Sequence, residues 1–507
     1  MLDLGTTFIA AAEREPEAKA IVDGALALTY GEWFERIRCL AGGLDGIGLK
    51  PGDRVAVMLR NNWQMATLHW ACQLAGITVT PLNWRVRADE LDYFVGDADA
   101  KAIFFEAVSA DAVNAASSVN GLPQVSIDGA SNGAFEFSDL MNSPTAPEQS
   151  KADAEDMSLM LYTSGTTGPG KGVPRRHRVE RAAALAHVAQ NCYRYGESTL
   201  GVMPLYHTMG VRSLLAMALV QGCFVCLPQF DAATALQLIA RERVSTLYLV
   251  PTLYHDLLAS DGFEKADISS VRKLGFAGAP MTDGLLQRVE AAFRPELFVN
   301  HYGSSEVYTF TIEQNAVAKP GSAGKAGLNQ QIRVVPVGAE DGDAVAVPGE
   351  EGEIIANLSS DEAFEGYWRR PEANEKALRN GWYHTGDIGY FDAAGDLFVT
   401  GRVDDMIITG GENVLPIEIE SALSLHPGVA EVAVVGLEDE RWGKRVTAFV
   451  KRRKEVAVAD LDAYCRESDL ANFKRPREYV FVVEIPKSPV GKILRRKLIE
   501  GDFEREK

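Results

Sequence analysis

Positive charge is scarce in this chain: 51 Lys and Arg stand against 70 Asp and Glu, a net charge of −19 over 507 residues. So acidic a protein argues against general binding to nucleic acid or an anionic membrane, and a polyanionic ligand would need a local basic patch. Long hydrophobic runs are missing too. No apolar stretch approaches the roughly 20 residues of a membrane span, and the opening MLDLGTTFIAAAEREPEAKA lacks the basic segment that begins a signal peptide. The chain reads as cytoplasmic. Cysteine is sparse, six in all, which does not point to a disulfide framework. Cys223 and Cys226 form C-x-x-C within GCFVCLPQF. That apolar setting reads as a buried strand, with no second pair or nearby histidine to complete a zinc site.

What is present is a chain too long for one core, so two to four domains are expected. Apolar strand-like runs alternate with helix-like stretches through the first four hundred residues: RVAVMLR (54–60), a helix over 62–76, ITVTPLN (77–83), AKAIFFE (100–106), then FVCLPQF, a helix over 231–244 and STLYLVP (245–251). Alternation of this kind predicts parallel sheets flanked by helices. The polar stretch 142–156, with two prolines, reads as a surface connection. The character changes near 395–407. Beyond it a short helix over 416–424, the runs VAEVAVVGL and RVTAFVKRR, the helical ADLDAYCRES and the strand EYVFVVEI predict a separate α+β domain of about a hundred residues. Its tail, Lys474 to Lys497, carries eight Lys or Arg against two Glu, and Pro and Gly place Lys492 on a turn.

The stretch LYTSGTTGPGKGV (161–173) raises the question of an anion site. Gly165 to Lys171 fits G-x-x-x-x-G-K, but the Ser or Thr that should follow to place a hydroxyl on Mg²⁺ is Gly172. Pro174 disfavours a helix at Val173, so the chain is expected to run on extended. The loop suits phosphates, but not as a P-loop.

Five motifs in order, namely this loop, MPLYHTMG (203–210), YGSSE (302–306), YHTGD (383–387) with GRVDDMIITGGENVLPIEIE (401–420), and PVGKILRRKL (489–498), resemble the adenylate-forming superfamily of acyl-CoA synthetases, adenylation domains and firefly luciferase. RVDDMIITGGEN, RWGKRVTAFV and LANFKRP bring the chain nearest to bacterial aryl-CoA ligases of the 4-chlorobenzoate type. Pro169-Gly170 departs from the family's usual order in the loop, and Ser305 stands where Thr is usual. The resemblance implies an α/β fold. A large domain (1–403) would comprise flanked sheets plus a small β-barrel-like part, and a small mobile α+β domain would follow (404–507).

The implied reaction is ATP-dependent joining of a small carboxylic acid to coenzyme A through an acyl-adenylate, which calls for preorganised donors and cations around phosphoryl oxygens. By resemblance Thr163, Ser164, Gly165, Thr166, Thr167 and Lys171 take the phosphates, and Glu306 holds Mg²⁺, since a hard cation favours carboxylate and phosphate oxygen. Asp387 and Arg402 would hold the ribose. Gly278, Ala279, Pro280, His301, Tyr302, Gly303, Ser304 and Ser305 would surround the adenine side. His207 would border the acid near its carboxylate, with Met209, Tyr248, Ala279 and Tyr308 around the acyl group. Two tyrosines there favour a short, flat pocket with a polar end. Arg212 either meets a second acidic group or takes a surface or supporting place. Lys492 would act in adenylation and then leave by rotation about Asp404. That rotation would bring in Gly410 and Gly411, with Arg85, Trp442, Phe473 and Arg475 on the CoA nucleotide, which gives the basic tail a purpose. A short- or medium-chain fatty acid, a stand-alone enzyme loading a carrier protein, or a non-catalytic relative are the alternatives. Amino-acid loading is disfavoured, because Tyr206-His207-Thr208-Met209 lacks the Asp used for an amine. A homodimer is the default oligomer.

Overall fold

The computed structural model describes residues 1–129, 135–144, 146–163, 170–403, 405–468, 470–487 and 493–506. The first predicted strands form one seven-stranded sheet, in the order 135–136, 124–126, 102–105, 54–58, 78–81, 157–163, 171–176. Its interior neighbours are parallel, and the last two strands close it as an antiparallel hairpin pairing Thr163 with Lys171. The extended run expected through Gly172-Val173-Pro174 is the strand Lys171–Arg176. Helix Trp63–Ala75 is capped by Asn62, whose side chain accepts from the Met65 amide (2.9 Å), and ends at Gly76 with φ +71°. Every residue from Met65 to Ala75 is buried. A helix buried on all sides has no polar face to display, which is why its sequence reads as almost uniformly apolar.

A second sheet contains parallel neighbours at 198–201, 223–226, 246–249, 273–276 and 297–302. Cys223–Cys226 is a fully buried strand, as expected, and burial pushes both thiols up, Cys223 to about 12. After Tyr302 the chain reverses, and 311–313, 322–326, 397–402, 382–391, 352–357 and 332–335 extend the same sheet in antiparallel order. This is the part expected to be barrel-like. Among the described residues it is an open sheet: 332–335 bonds 352–357 and the path ends there, so no strand returns to close it.

Beyond 406 the strands 412–414, 407–409, 443–452, 429–439 and 478–481 form a separate five-stranded sheet. Helices Pro416–Ser424 and Val458–Glu467 cover it, and its own core includes Ile419, Leu423, Val434, Ala448 and Leu461. Among the described residues no helix is long and apolar enough to cross a membrane.

Candidate functional site

Asp387 and Arg402 stand opposite each other on the antiparallel strands Trp382–Phe391 and Leu397–Arg402. Register alone brings side chains so placed within reach, and Arg402 Nη1 donates to Asp387 Oδ1 at 2.7 Å. Tyr302, at the end of strand Leu297–Tyr302, donates its hydroxyl to Asp387 Oδ2 at 2.5 Å. Burial, then the Asp387 carboxylate, push the phenol's pKa well up and keep it a donor. The hydroxyl of Tyr302, a residue expected on the adenine side, is thus taken up by the Asp387 carboxylate. His301 lies on the opposite face, because successive strand residues alternate. There it packs with His187 and Tyr248, so these two neighbours do not line one surface.

Lys171 and Glu306 converge on one tyrosine. The Lys171 ammonium lies 4.2 Å from the ring centre of Tyr367, whose hydroxyl donates to Glu306 Oε1 at 2.7 Å. Glu306 is buried and its backbone is fixed on both sides: its amide donates to Ser304 Oγ (3.2 Å) and its carbonyl accepts from the Phe364 amide (2.9 Å). Gly303 permits this tight turn, since a Cβ there would collide with the Tyr308 carbonyl. Behind it lies Arg175, buried with Glu180. Its Nε donates to Glu180 Oε1 at 2.7 Å, and Nη1 donates to the carbonyls of Ser305 (3.3 Å), Glu306 (3.1 Å) and Glu362 (2.8 Å). The strand that follows the phosphate-loop motif is thus tied to the Glu306 turn. Thr163, Gly170 and Lys171 are in place at the hairpin. Ser164, Gly165, Thr166 and Thr167 lie outside the described residues.

On the other side, strand Lys273–Phe276 ends in Gly278, at φ +83°. Only glycine takes that conformation without strain, and a Cβ here would touch Val250 and come within 3.8 Å of Met209 Sδ. Gly278 and Pro280 are exposed and Ala279 is partly buried. His207 is the N-cap of helix Thr208–Leu219, its Nδ1 accepting from the Met209 amide at 3.4 Å. Met209, Tyr248 and Tyr308 are all buried. Arg212 is buried as well, which removes the surface alternative, and it donates to Thr309 Oγ1 at 3.1 Å.

In the small unit Gly410, at φ +59°, donates its amide to the Trp442 carbonyl (2.9 Å), and a Cβ would press on the Trp442 ring at 2.8 Å. Gly411 has open space around it. Trp442 and Phe473 are exposed, and Arg85 is exposed with its guanidinium 3.6 Å from the Trp84 ring. Arg475 is ion-paired to Asp462. The same holds across the tail: Lys474 pairs with Glu418, Lys487 with Glu431, Arg495 with Glu420, Arg496 with Glu500 and Lys497 with Asp502. Among the described residues, six of the tail's cations are thus answered by carboxylates. Asp404 and Lys492 lie outside the described residues.

Sequence reasoning passed over Arg175, Glu180 and Tyr367. A signal was available for the first pair. Val173 and Arg175 share a strand face that is buried, and a charge on such a face demands a partner, here five residues on. Among the described residues no three His, Cys, Asp or Glu side chains gather as a metal cage. A divalent cation at Glu306 would therefore depend on phosphate oxygens for its remaining ligands.

The family description AMP-binding enzyme matches residues 8–368, and its C-terminal domain matches 418–492. The chain is 32% identical to a long-chain-fatty-acid–CoA ligase of Mycobacterium tuberculosis, over 99% of this chain and 98% of that one. It is 33% identical to a 4-chlorobenzoate–CoA ligase of an Arthrobacter species, over 96% and 93%. The fold superimposes on that of ATP-bound MatB from Rhodopseudomonas palustris with a TM-score of 0.89 at 29% identity, over 99% of each chain.

Proposed function

The chain belongs to the AMP-binding enzyme family, and from that premise we propose how its residues divide the work of an acid–CoA ligase and which acid it takes. As an acid–thiol ligase it couples a carboxylic acid to CoA while ATP becomes AMP and pyrophosphate. The carboxylate attacks the α-phosphorus and pyrophosphate leaves. The CoA thiol, losing its proton, then attacks the acyl carbonyl and AMP leaves. The observation that carries the assignment is the meeting of Lys171 and Glu306 at Tyr367. Tyr383, in hydrogen-bond contact with Tyr367, connects this point to Asp387 four residues along the same strand. A cation and a hard carboxylate at one end and a carboxylate–guanidinium pair at the other match a triphosphate and a ribose. Lys171, with the loop hydroxyls, takes the phosphates; Glu306 would hold Mg²⁺, whose charge would offset that of the phosphates; Asp387 takes the ribose hydroxyls.

Lys492 serves adenylation, and the small unit, turning about Asp404, then presents Gly410 and Gly411 to pantetheine. Because Arg475 is already paired, its engagement with the CoA nucleotide requires exchange of Asp462 for phosphate. The acid is aromatic or cyclic: the resemblance to aryl-CoA ligases puts Met209, Tyr248 and Tyr308 around the acyl group, all three are buried, and two tyrosines there suit a flat ring. Glu306→Gln keeps shape and removes the charge that holds the ion. Adenylation, measured as pyrophosphate release, should fall steeply, recover in part at high Mg²⁺, and leave the Tm almost unchanged. Unaltered kinetics would reduce Glu306 to a structural residue. A higher kcat/KM for palmitate than for every ring acid tried would overturn the aromatic assignment.

A further inference from the structure

Arg212 follows Met209 by three residues on helix Thr208–Leu219 and so shares its face one turn on. It is 2% exposed. A guanidinium keeps its charge when buried, and such a charge is normally set against a carboxylate. Arg175 obeys that rule. Arg212 does not: among the described residues it makes no salt bridge, its hydrogen bond goes to the Thr309 hydroxyl, and its Nε has no partner. It lies 5.0 Å from the ring centre of Tyr308.

Two histidines nearby are in the same condition. His187 and His301 are buried with ring centres 5.2 Å apart, and both pack on Tyr248, at 4.8 and 5.0 Å. Asn191 fixes their tautomers. Its amide nitrogen donates to His187 Nδ1 and to the His187 carbonyl, so its oxygen is left to accept from His301 Nε2. His187 is thereby left with an unpartnered Nε2–H donor and His301 with an unpartnered Nδ1 acceptor. Burial, with the Arg212 charge adding to it, keeps both rings neutral. Glu362, a buried carboxyl that feels the Arg212 charge, is held toward its neutral form by burial against the opposing pull of Arg212 and Arg175, and its Oε2 has no hydrogen-bond partner among the described residues. Unpaired buried donors are costly, and here three unpaired polar atoms surround the tyrosines that flank the acyl group.

We propose that the acid this enzyme activates carries a hydrogen-bond acceptor at the end remote from the reacting carboxylate, and that Arg212 and His187 are the donors that receive it. The inference rests on the acyl pocket lying between Tyr248 and Tyr308. Arg212 has donors only, so the group must accept. A second carboxylate, a ring heteroatom and a hydroxyl all qualify, and the hydroxyl alone also donates to His301 Nδ1. A plain alkyl chain or unsubstituted ring leaves the guanidinium unsatisfied. Sites built to hydrogen-bond a substrate discriminate strongly against the analogue that lacks the group.

The test compares ring acids bearing a second carboxylate, a ring heteroatom or a hydroxyl with plain-ring counterparts of equal size, by pyrophosphate release from the unaltered enzyme. The expected result is a kcat/KM roughly tenfold to a hundredfold higher for one acceptor class than for its plain partner. That class identifies the group. Arg212→Met, with its Tm measured alongside, should bring the ratio of kcat/KM between the acceptor-bearing acid and its plain partner down to near one. Plain rings that equal or exceed every acceptor-bearing partner overturn the inference and leave the ligase assignment intact, as does an Arg212→Met variant that slows all acids by one factor. Pyrophosphate release with no acid at all overturns both.

Discussion

Charge is handled in opposite ways in the two parts of this molecule. Beside the candidate site, Arg175 and Glu180 are paired with their side chains wholly inside, at 0% exposure each, and Arg212 is inside with no ion pair among the described residues. In the small unit the basic tail is spread over half-exposed pairs, such as Lys474–Glu418 with side chains 24% and 30% exposed. Inside, desolvation makes each charge consequential whichever way it is paired. Outside, water screens the pairs and each contributes little. A count of basic residues along the chain therefore misjudges both regions. It overstates the tail, where six cations among the described residues are paired with carboxylates, and it overlooks two arginines in the core.

The largest effect separating the two regions is expected at Arg175. Arg175→Met strands Glu180 in the interior and releases three backbone carbonyls, and removing one partner of a buried pair costs about 3–5 kcal/mol. Denaturant unfolding would measure this, and a loss below about 1 kcal/mol would erase the contrast.

Lys492 is the position at which the small unit should break its own pattern. Lys492→Ala is expected to slow adenylation roughly 10²–10³-fold, on the order of 3–4 kcal/mol, as for other preorganised electrostatic donors. It should spare thioester formation from preformed acyl-adenylate and CoA. Single-turnover kinetics on each step would decide, since equal damage to both would make Lys492 an ordinary surface cation.

Third comes pH. Burial lowers His69 to about 3 and His177 to about 4, and holds His187 and His301 well below the ordinary value of 6.5. The unfolded chain then binds protons that the folded one refuses. Stability should be full above about pH 6.5 and fall as pH drops toward 4, by up to roughly 1.4 kcal/mol per pH unit for each histidine still neutral when folded. Carboxylates titrate at the lower end of this window, so the informative span is pH 6.5 to 5, where thermal unfolding in a buffer series should already decline.

The smallest effect is Arg475→Ala. Its pair with Asp462 is partly exposed, so the stability change should stay under about 1 kcal/mol. A several-fold rise in the KM for CoA, with the KM for ATP unchanged, would assign Arg475 to the nucleotide.

Much of the layout could be read from the chain. Alternating runs predicted the parallel strands at 54–58, 78–81, 102–105 and 246–249, and the helix over 416–424 is observed as Pro416–Ser424. What escaped were pairings set by tertiary register. Periodicity does not say which strand an antiparallel run will meet, and the small barrel-like part that the resemblance implied is, among the described residues, an open sheet. Three of the acids that pair with the tail lie 56 residues from Lys474, 56 from Lys487 and 75 from Arg495, beyond any local charge count. The motifs contain Lys171 and Glu306, which the structure brings to Tyr367, and Asp387 and Arg402, which it pairs, but the Tyr302–Asp387 bond and the separation of His301 from Tyr302 depend on strand ends and faces that a motif does not encode.

Asp387 and Arg402 face each other across two antiparallel strands because their register leaves no other arrangement. In the folded chain the two positions act as one electrostatic unit. A drift from Asp to a neutral residue leaves a guanidinium stranded, and loss of the arginine leaves the Tyr302–Asp387 hydroxyl–carboxylate contact without its counter-charge. A single substitution at either position therefore leaves a charge without its partner, whereas a paired replacement removes both together.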